Sequence, residues 1–430
     1  MSEILYVLLV ILFGVCSIPL LHFNTKRDLF EPIYWTSAYF LVIFGVRSIY
    51  AMSFGTPFLG DPPFSTKTIN AWTNALFYMI ISFLFFLVGY YSKFGVAVAK
   101  IFPPLPQHWS YIKIKFFTPL FLGIGFVPII IFIRHWSLSV FLTQKQLTLT
   151  QGGTTYLYLL VDFIKFVLFI SYIAVLVHRK MRAMAILSVV VVFLVGFAIG
   201  TKGYILFSCL SIFIIYQYFS GRVRLKHLTV IVLLTILVFP LFNVYRHTSD
   251  LSQVLPATID ILIKPDILLH HLLGRFHDMD SFIFIIRDTP GTMDFQMGKT
   301  IAPLFVAWIP RMIWPDKPII SFAKIFGETY YAPWFAGTGI APSPTIIGEA
   351  YLNFHVAGMF GIALISGILL RTLYHYLICK SLGPSGVFVY VTIFPFLVTF
   401  WESDIAGLLS RAVFSFFMAI MISLLLANRR

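Results

Sequence analysis

From residue 3 to residue 245 the chain repeats one pattern, apolar runs long enough to cross a bilayer, separated by short links that carry Lys and Arg. A run of about 20 apolar residues spans the hydrocarbon core as a helix, and a helix satisfies every backbone N–H and C=O without water. The pattern predicts an all-α, polytopic membrane protein. Its 59% hydrophobic and 11% charged residues point the same way, since a soluble domain carries roughly 25% charged residues. Eleven spans are expected, near 3–22, 32–53, 71–92, 116–134, 155–177, 183–200, 203–220, 227–245, 347–378, 385–401 and 407–427. The first opens on Met-Ser-Glu with neither a basic leader nor a small-residue cleavage site, so it reads as a retained helix. The chain is thus expected in three parts: eight helices in 1–245, one long link at 246–346, and three helices in 347–430.

A net charge of +14 suggests nucleic acid in a soluble chain, but here the cations follow topology. One set of links holds Lys26, Arg27, Lys93, Lys100, Lys113, Lys115, Arg179, Lys180, Arg182, Arg222, Arg224, Lys226, Lys380, Arg429 and Arg430. The opposite short links hold only Lys67, Arg134, Lys145 and Lys202. Positive charge collects on the cytoplasmic side, which puts the N-terminus outside, the C-terminus inside and 246–346 outside. Nucleic acid is not an expected partner.

Charges inside spans are few. Arg47 stands alone in the second span and is left open between structure and function. Asp162 and Lys165, three apart, read as a pair that neutralises itself on one helix face. Lys202, in the Gly200-Thr-Lys-Gly203 hairpin, reads as an interfacial anchor. Cys16, Cys209 and Cys379 show no CxxC spacing and read as packing residues. The 54–70 link has Asp61 before two prolines, a turn signal, and no paired-carboxylate motif. That argues against the membrane glycosyltransferases that use dolichol-phosphate sugars.

The long link is unlike the rest. Pro310, Pro315, Pro318, Pro342 and Pro344 rule out one lipid-facing helix, because each freed carbonyl needs a partner that hydrocarbon lacks. Upstream, 265–288 reads as one amphipathic surface helix with His271, Arg275 and Asp278 on its polar face. The link gathers Arg246, Arg275, Arg287, Lys299, Arg311, Lys317 and Lys324 on the side where cations are normally scarce. Cations placed against the topological bias suggest an anionic ligand.

The run Ile309-Pro-Arg-Met-Ile-Trp-Pro-Asp-Lys-Pro318, then Ala341-Pro-Ser-Pro-Thr345 and Gly348-Glu-Ala-Tyr-Leu-Asn-Phe354, resembles the Wzy-type O-antigen polymerases of bacterial envelopes. Arg287 and Gly298 also match an Arg-x10-Gly spacing described for some members, whereas His355 stands where the family often has Gly. The resemblance implies an inner-membrane enzyme that joins glycan repeat units carried on undecaprenyl pyrophosphate, with membrane lipid and a chain-length-regulating co-polymerase as partners. It implies no cofactor.

Outside the cytoplasm such a transfer is driven by a lipid-pyrophosphate leaving group. No metal-binding set of carboxylates is apparent in the link, so cationic side chains are expected to stabilise the departing charge. Arg246, Arg275 and Arg311 lead, because a guanidinium grips phosphate oxygens with two donors at once; Lys317 and Arg287 come next. For the acceptor's base the candidates are Glu349, His277, Asp278 and Asp280, with Glu349 first because it begins a helix in an apolar setting. The alternative for Glu349 is a favourable interaction with its own helix dipole. Trp314 and Tyr351 are candidate glycan contacts, although Trp314 and Trp334 read first as interfacial belt residues. An O-antigen ligase shares the expected architecture; a flippase is disfavoured because paired interrupted helices are not evident in the sequence.

Overall fold

The computed structural model describes residues 3–21, 28–54, 66–136, 155–223, 225–247, 251–273, 278–309, 313–314, 316–318, 321–331 and 343–428. The chain has an all-α architecture, and among the described residues nine helices are long and apolar enough to cross a membrane. They fall at Glu3–Leu21, Pro32–Ser53, Ile69–Tyr91, Tyr111–Arg134, Leu159–His178, Arg182–Ile199, Lys202–Phe219, Ile346–Lys380 and Ile405–Leu426. The expected spans at 227–245 and 385–401 correspond to the shorter apolar helices Val232–Tyr245 and Pro384–Val398.

In chain order the helices are α1 (Glu3–Leu21), α2 (Pro32–Tyr39), α3 (Arg47–Phe54), α4 (Thr66–Tyr91), α5 (Lys93–Ile101), α6 (Tyr111–Trp136) and α7 (Thr155–His178). Next come α8 (Arg182–Ile199), α9 (Lys202–Phe219), α10 (Leu225–His247), α11 (Val254–Ile263), α12 (Pro265–Leu273) and α13 (Asp278–Asp288). The last four are α14 (Phe322–Tyr330), α15 (Ile346–Tyr374), α16 (Pro384–Val398) and α17 (Ile405–Leu426). A π-helical stretch, Phe40–Val46, joins α2 to α3, so that α2 and α3 form one span.

Packing divides the chain into two units. The first comprises Met1–Pro104, Arg275–Lys380 and Pro395–Ser415. Its spine is the α4–α15 pair, which approach backbone to backbone. A Cβ on Gly89 would lie 2.1 Å from the Leu364 carbonyl oxygen, and one on Gly367 would lie 2.2 Å from the Phe86 carbonyl oxygen. Small residues are what permit such contact between helices in a bilayer, where apolar lipid offers no hydrophobic drive for helices to associate. Around this spine Phe40, Phe83, Phe86 and Trp401 interlock, with ring centroids 4.9 to 5.8 Å apart. Toward the far end of α15, Arg371 donates to Glu31 at 2.8 Å, and the Tyr90 hydroxyl donates to the same oxygen at 2.9 Å. Lys380 donates to the carbonyls of Ala99, Lys100 and Phe102, so its ammonium closes the C-terminal end of α5.

The second unit comprises Leu105–Gly274, Ser381–Phe394 and Phe416–Arg430. In it α6 packs on α7 through Gly125, whose Cβ would lie 2.6 Å from an Ile164 side-chain carbon. The expected Asp162–Lys165 pair forms at 2.7 Å, and the Lys165 ammonium also sits over the Tyr204 ring. Lys202 lies 3.7 Å from the centre of the Phe239 ring, a cation–π contact.

Of the surface helix expected at 265–288, α12 and α13 are described and 274–277 lie outside the described residues. Helix α13 does not turn a polar face to solvent, because Asp278, Asp280 and Ser281 are as buried as Met279, Phe282 and Ile283. The acids lie inward because partners await them there.

The α4–α15 contact carries a prediction. Gly367→Val forces two backbones apart and should cost more than the ~1 to 3 kcal/mol of ordinary overpacking, leaving little monodisperse protein after detergent extraction. Gly361→Ala, whose Cβ would meet nothing within 4 Å, should elute as the parent protein does.

Candidate functional site

Helix α15 is broken. Phe354 (φ −137°, ψ 23°) and His355 (φ 56°, ψ −152°) leave helical conformation, and His355 occupies a backbone region that side chains other than glycine's rarely enter. The half-helices still overlap closely, since a Cβ on Gly358 would lie 2.3 Å from the Ala350 carbonyl oxygen. The break frees carbonyls from the helical ladder, and in an apolar setting each needs another donor. The preceding loop supplies one: Gln296 N–H donates to the Leu352 carbonyl at 2.9 Å.

The same loop builds a buried polar network on the first half of α15. Gly298 N–H donates to Asn353 Oδ1 at 2.7 Å, which fixes which end of the amide faces inward. Asn353 Nδ2 therefore donates to the Thr300 hydroxyl at 2.7 Å and to the Glu349 carbonyl at 2.8 Å. With its oxygen receiving from Asn353, the Thr300 hydroxyl donates to Glu349 Oε1 at 2.6 Å. Glu349 Oε2 accepts the N–H of Ile405, the first residue of α17, at 2.6 Å. Glu349 and Asn353 are fully buried and Thr300 nearly so.

The expected alternative for Glu349 was a contact with its own helix dipole. Glu349 does lie in the first turn of its own helix, whose N-cap is Thr345, the hydroxyl accepting from Gly348 N–H at 3.0 Å. Glu349 serves the positive end of α17, a neighbour. Asp404 stands beside it and caps α17 through Gly407 N–H at 3.1 Å, while also accepting from Phe322 N–H, the start of α14, at 3.2 Å. Two helix N-termini thus converge on two carboxylates. A Cβ on Gly407 would lie 2.7 Å from the Asp404 carboxylate, so a larger residue there would have to shift that cap. Three residues other than glycine with positive φ surround the network: Met297 (46°), Thr345 (63°) and His355 (56°). Strain of this kind persists where surrounding contacts over-determine the backbone, and it clusters at functional sites.

Arg47, left open by sequence, is placed by the structure. It is fully buried and reaches Asp280 through three hydrogen bonds of 3.0 to 3.2 Å. The Tyr39 hydroxyl donates to Asp278 at 3.2 Å. These contacts hold α13 against the π-helical span. Burial pushes the Asp280 carboxyl up to about 6, against the opposing pull of the Arg47 guanidinium. Asp280, expected as a possible base, is therefore committed to an ion pair. Burial likewise raises the Tyr331 hydroxyl.

Other expected site residues have surroundings of their own. Lys317 is buried, and its ammonium donates to the carbonyls of Ala307 at 2.9 Å and Ile309 at 2.7 Å, which makes it a loop clip. Arg287 donates to its neighbour Asp288 at 2.8 and 2.9 Å and lies over the Phe284 ring. Tyr351 is buried in an aromatic cluster with Tyr78, Phe295 and His355, and Trp314 is exposed. Arg275, His277 and Arg311 lie outside the described residues, as does the Arg246 side chain at the end of α10. Among the described residues no group of three or more His, Cys, Asp or Glu is placed to hold a metal ion.

Sequence reasoning missed Thr300 and Asp404. Asp404 had a readable signal, an Asp just before a long apolar run, which is an N-cap pattern. Thr300 had none, because its role exists only once the loop meets α15. No protein-family model matches the chain, nor does any curated protein or solved structure.

The buried ion pair gives a direct test. Removing one partner strands a charge, so Arg47→Met or Asp280→Leu alone should each destabilise the protein by about 3 to 5 kcal/mol. The double variant should recover most of that loss in thermal unfolding monitored in detergent.

Proposed function

We propose that the protein is a membrane glycosyltransferase that polymerises undecaprenyl-pyrophosphate-linked repeat units into O-antigen or a related surface polysaccharide. In this reading eleven helices cross the bacterial inner membrane, with the N-terminus outside and the C-terminus inside, and 246–346 forms the outer link between the groups in 1–245 and 347–430. One observation carries the proposal. Gly298 and the Gly348-to-Phe354 run, both singled out by the resemblance, meet through the 2.7 Å Gly298–Asn353 hydrogen bond at a broken helix that holds a buried carboxylate.

That carboxylate supplies the chemistry. A base for glycosyl transfer accepts the proton of a sugar hydroxyl within hydrogen-bond reach. Thr300 already presents a hydroxyl to Glu349 Oε1 at 2.6 Å, and it stands in for the acceptor hydroxyl that displaces it in the working enzyme. Arg275 and Arg311 take the leaving pyrophosphate, each offering parallel donors. A chain-length-regulating co-polymerase is the expected protein partner.

The interrupted α15 also favours a second reading, a flippase for the same lipid-linked glycan, because transporters build sites from discontinuous helices. The two readings separate in cells lacking the gene: a polymerase defect leaves single repeat units attached to the surface glycan acceptor, and a flippase defect leaves none.

Glu349→Gln tests the base. Its carbonyl oxygen can still accept from Ile405 N–H and its amide can donate to the Thr300 oxygen, so the variant should fold and insert. Chain growth should be abolished on the ladder of glycan lengths at matched protein level; a normal ladder would leave Glu349 a purely structural role. Arg275→Lys and Arg311→Lys should each reduce polymerisation by roughly tenfold or more, which corresponds to about 1.4 kcal/mol of lost transition-state stabilisation. Ladders unchanged in both would remove the pyrophosphate clamp. Lys380→Ala is unsuitable as an inert control, since that ammonium holds three carbonyls of the α5 end.

A further inference from the structure

The depth of α15 in a membrane can be read from its own residues. Arg371, paired with Glu31, marks one end of the apolar stretch. From Arg371 the helix runs 16 residues to the break at His355, about 24 Å of a hydrocarbon core about 30 Å thick. Asn353 and Glu349 lie on the half-helix before the break, which overlaps the other half where Ala350 meets Gly358, and so sit in the part of the hydrocarbon opposite Arg371. Gly298 is bonded to the first and Thr300 to the second, so the loop is pinned at that same level.

On both sides of Thr300 the loop exposes large apolar side chains, alongside the exposed Lys299 and Asp316, and buries one charge. Lys317 is buried, with its charge on the carbonyls of Ala307 and Ile309. Apolar side chains face outward instead: Phe305 is 79% exposed, Ile313 75%, Met297 73%, Trp308 49% and Trp314 39%. A 3-10 turn, Ala302–Val306, presents Phe305. Satisfying backbone carbonyls internally while exposing apolar side chains is the arrangement that a lipid environment selects, and paired tryptophans suit the headgroup boundary.

We propose that Met297, Phe305, Trp308, Ile313 and Trp314 form a lip embedded at the boundary between lipid headgroups and acyl chains, its occupant the hydrocarbon of the bilayer itself. The lip holds the Thr300 loop at the depth of the α15 break, and this placement stands whether or not the protein transfers sugars. It accounts for two things at once: why so much apolar surface is uncovered, and why a lysine is committed to two carbonyls.

The test is a depth measurement in liposomes of phosphatidylcholine and phosphatidylglycerol. Cys16, Cys209 and Cys379 are replaced, and a single cysteine at Phe305→Cys or Ile313→Cys carries an environment-sensitive NBD label. Expected is a blue-shifted emission quenched more strongly by a nitroxide high on the acyl chain than by one at its end. Aqueous emission quenched by iodide would overturn the proposal. Apolar emission insensitive to either nitroxide would also overturn it, by placing protein, such as a second copy of the chain, over the lip. The unsubstituted protein gives an independent readout with lipid carrying an acyl-chain diazirine. Adducts on Phe305, Trp308 or Trp314 are expected, and adducts confined to the long apolar helices would refute the lip even if no cysteine variant folds.

Discussion

The Glu349 carboxylate joins three pieces of chain that sequence holds far apart: its own helix α15, the first N–H of α17, and Thr300 in the loop before α14. In a setting without water each of these donors must find an acceptor, and a single buried carboxylate satisfies both while Asn353 completes the set. The arrangement depends on the break at Phe354 and His355, because an unbroken α15 would keep the Leu352 carbonyl in its own ladder and leave the Gln296 N–H nothing to dock on. Gly358 makes room for the overlap of the half-helices, since a Cβ there would lie 2.3 Å from the Ala350 carbonyl oxygen. Site and fold are thus one construction.

Charge is placed by the same rule. Arg47 and Asp280 are both buried, and together they tie the span at 32–54 to α13 across a separation of 233 residues. Such a pair is weak as a source of net stability but costly to break, so it fixes which helix meets which. Asp404 does comparable work at the starts of α14 and α17. Lys317 and Lys380, each on backbone carbonyls, show that several cations of this basic chain act within the fold and not toward a ligand.

The sequence by itself determined the all-α, membrane-spanning character, because about 20 apolar residues in a row have one stable solution in hydrocarbon. It determined the Asp162–Lys165 pair, because i,i+3 neighbours on a helix must meet. It also singled out Glu349, as an acid that starts a helix in an apolar setting. It misjudged the polar face at Asp278, because periodicity reports that two faces differ and is silent on whether the polar face meets water or a buried partner; Asp278 and Asp280 meet Tyr39 and Arg47. Only the tertiary structure decided the partners of Arg47, the break in α15 and the part played by Thr300. The physical reason is the same for all three: each is settled by a hydrogen bond between residues tens to hundreds of positions apart, and no local propensity encodes an acceptor that far along the chain.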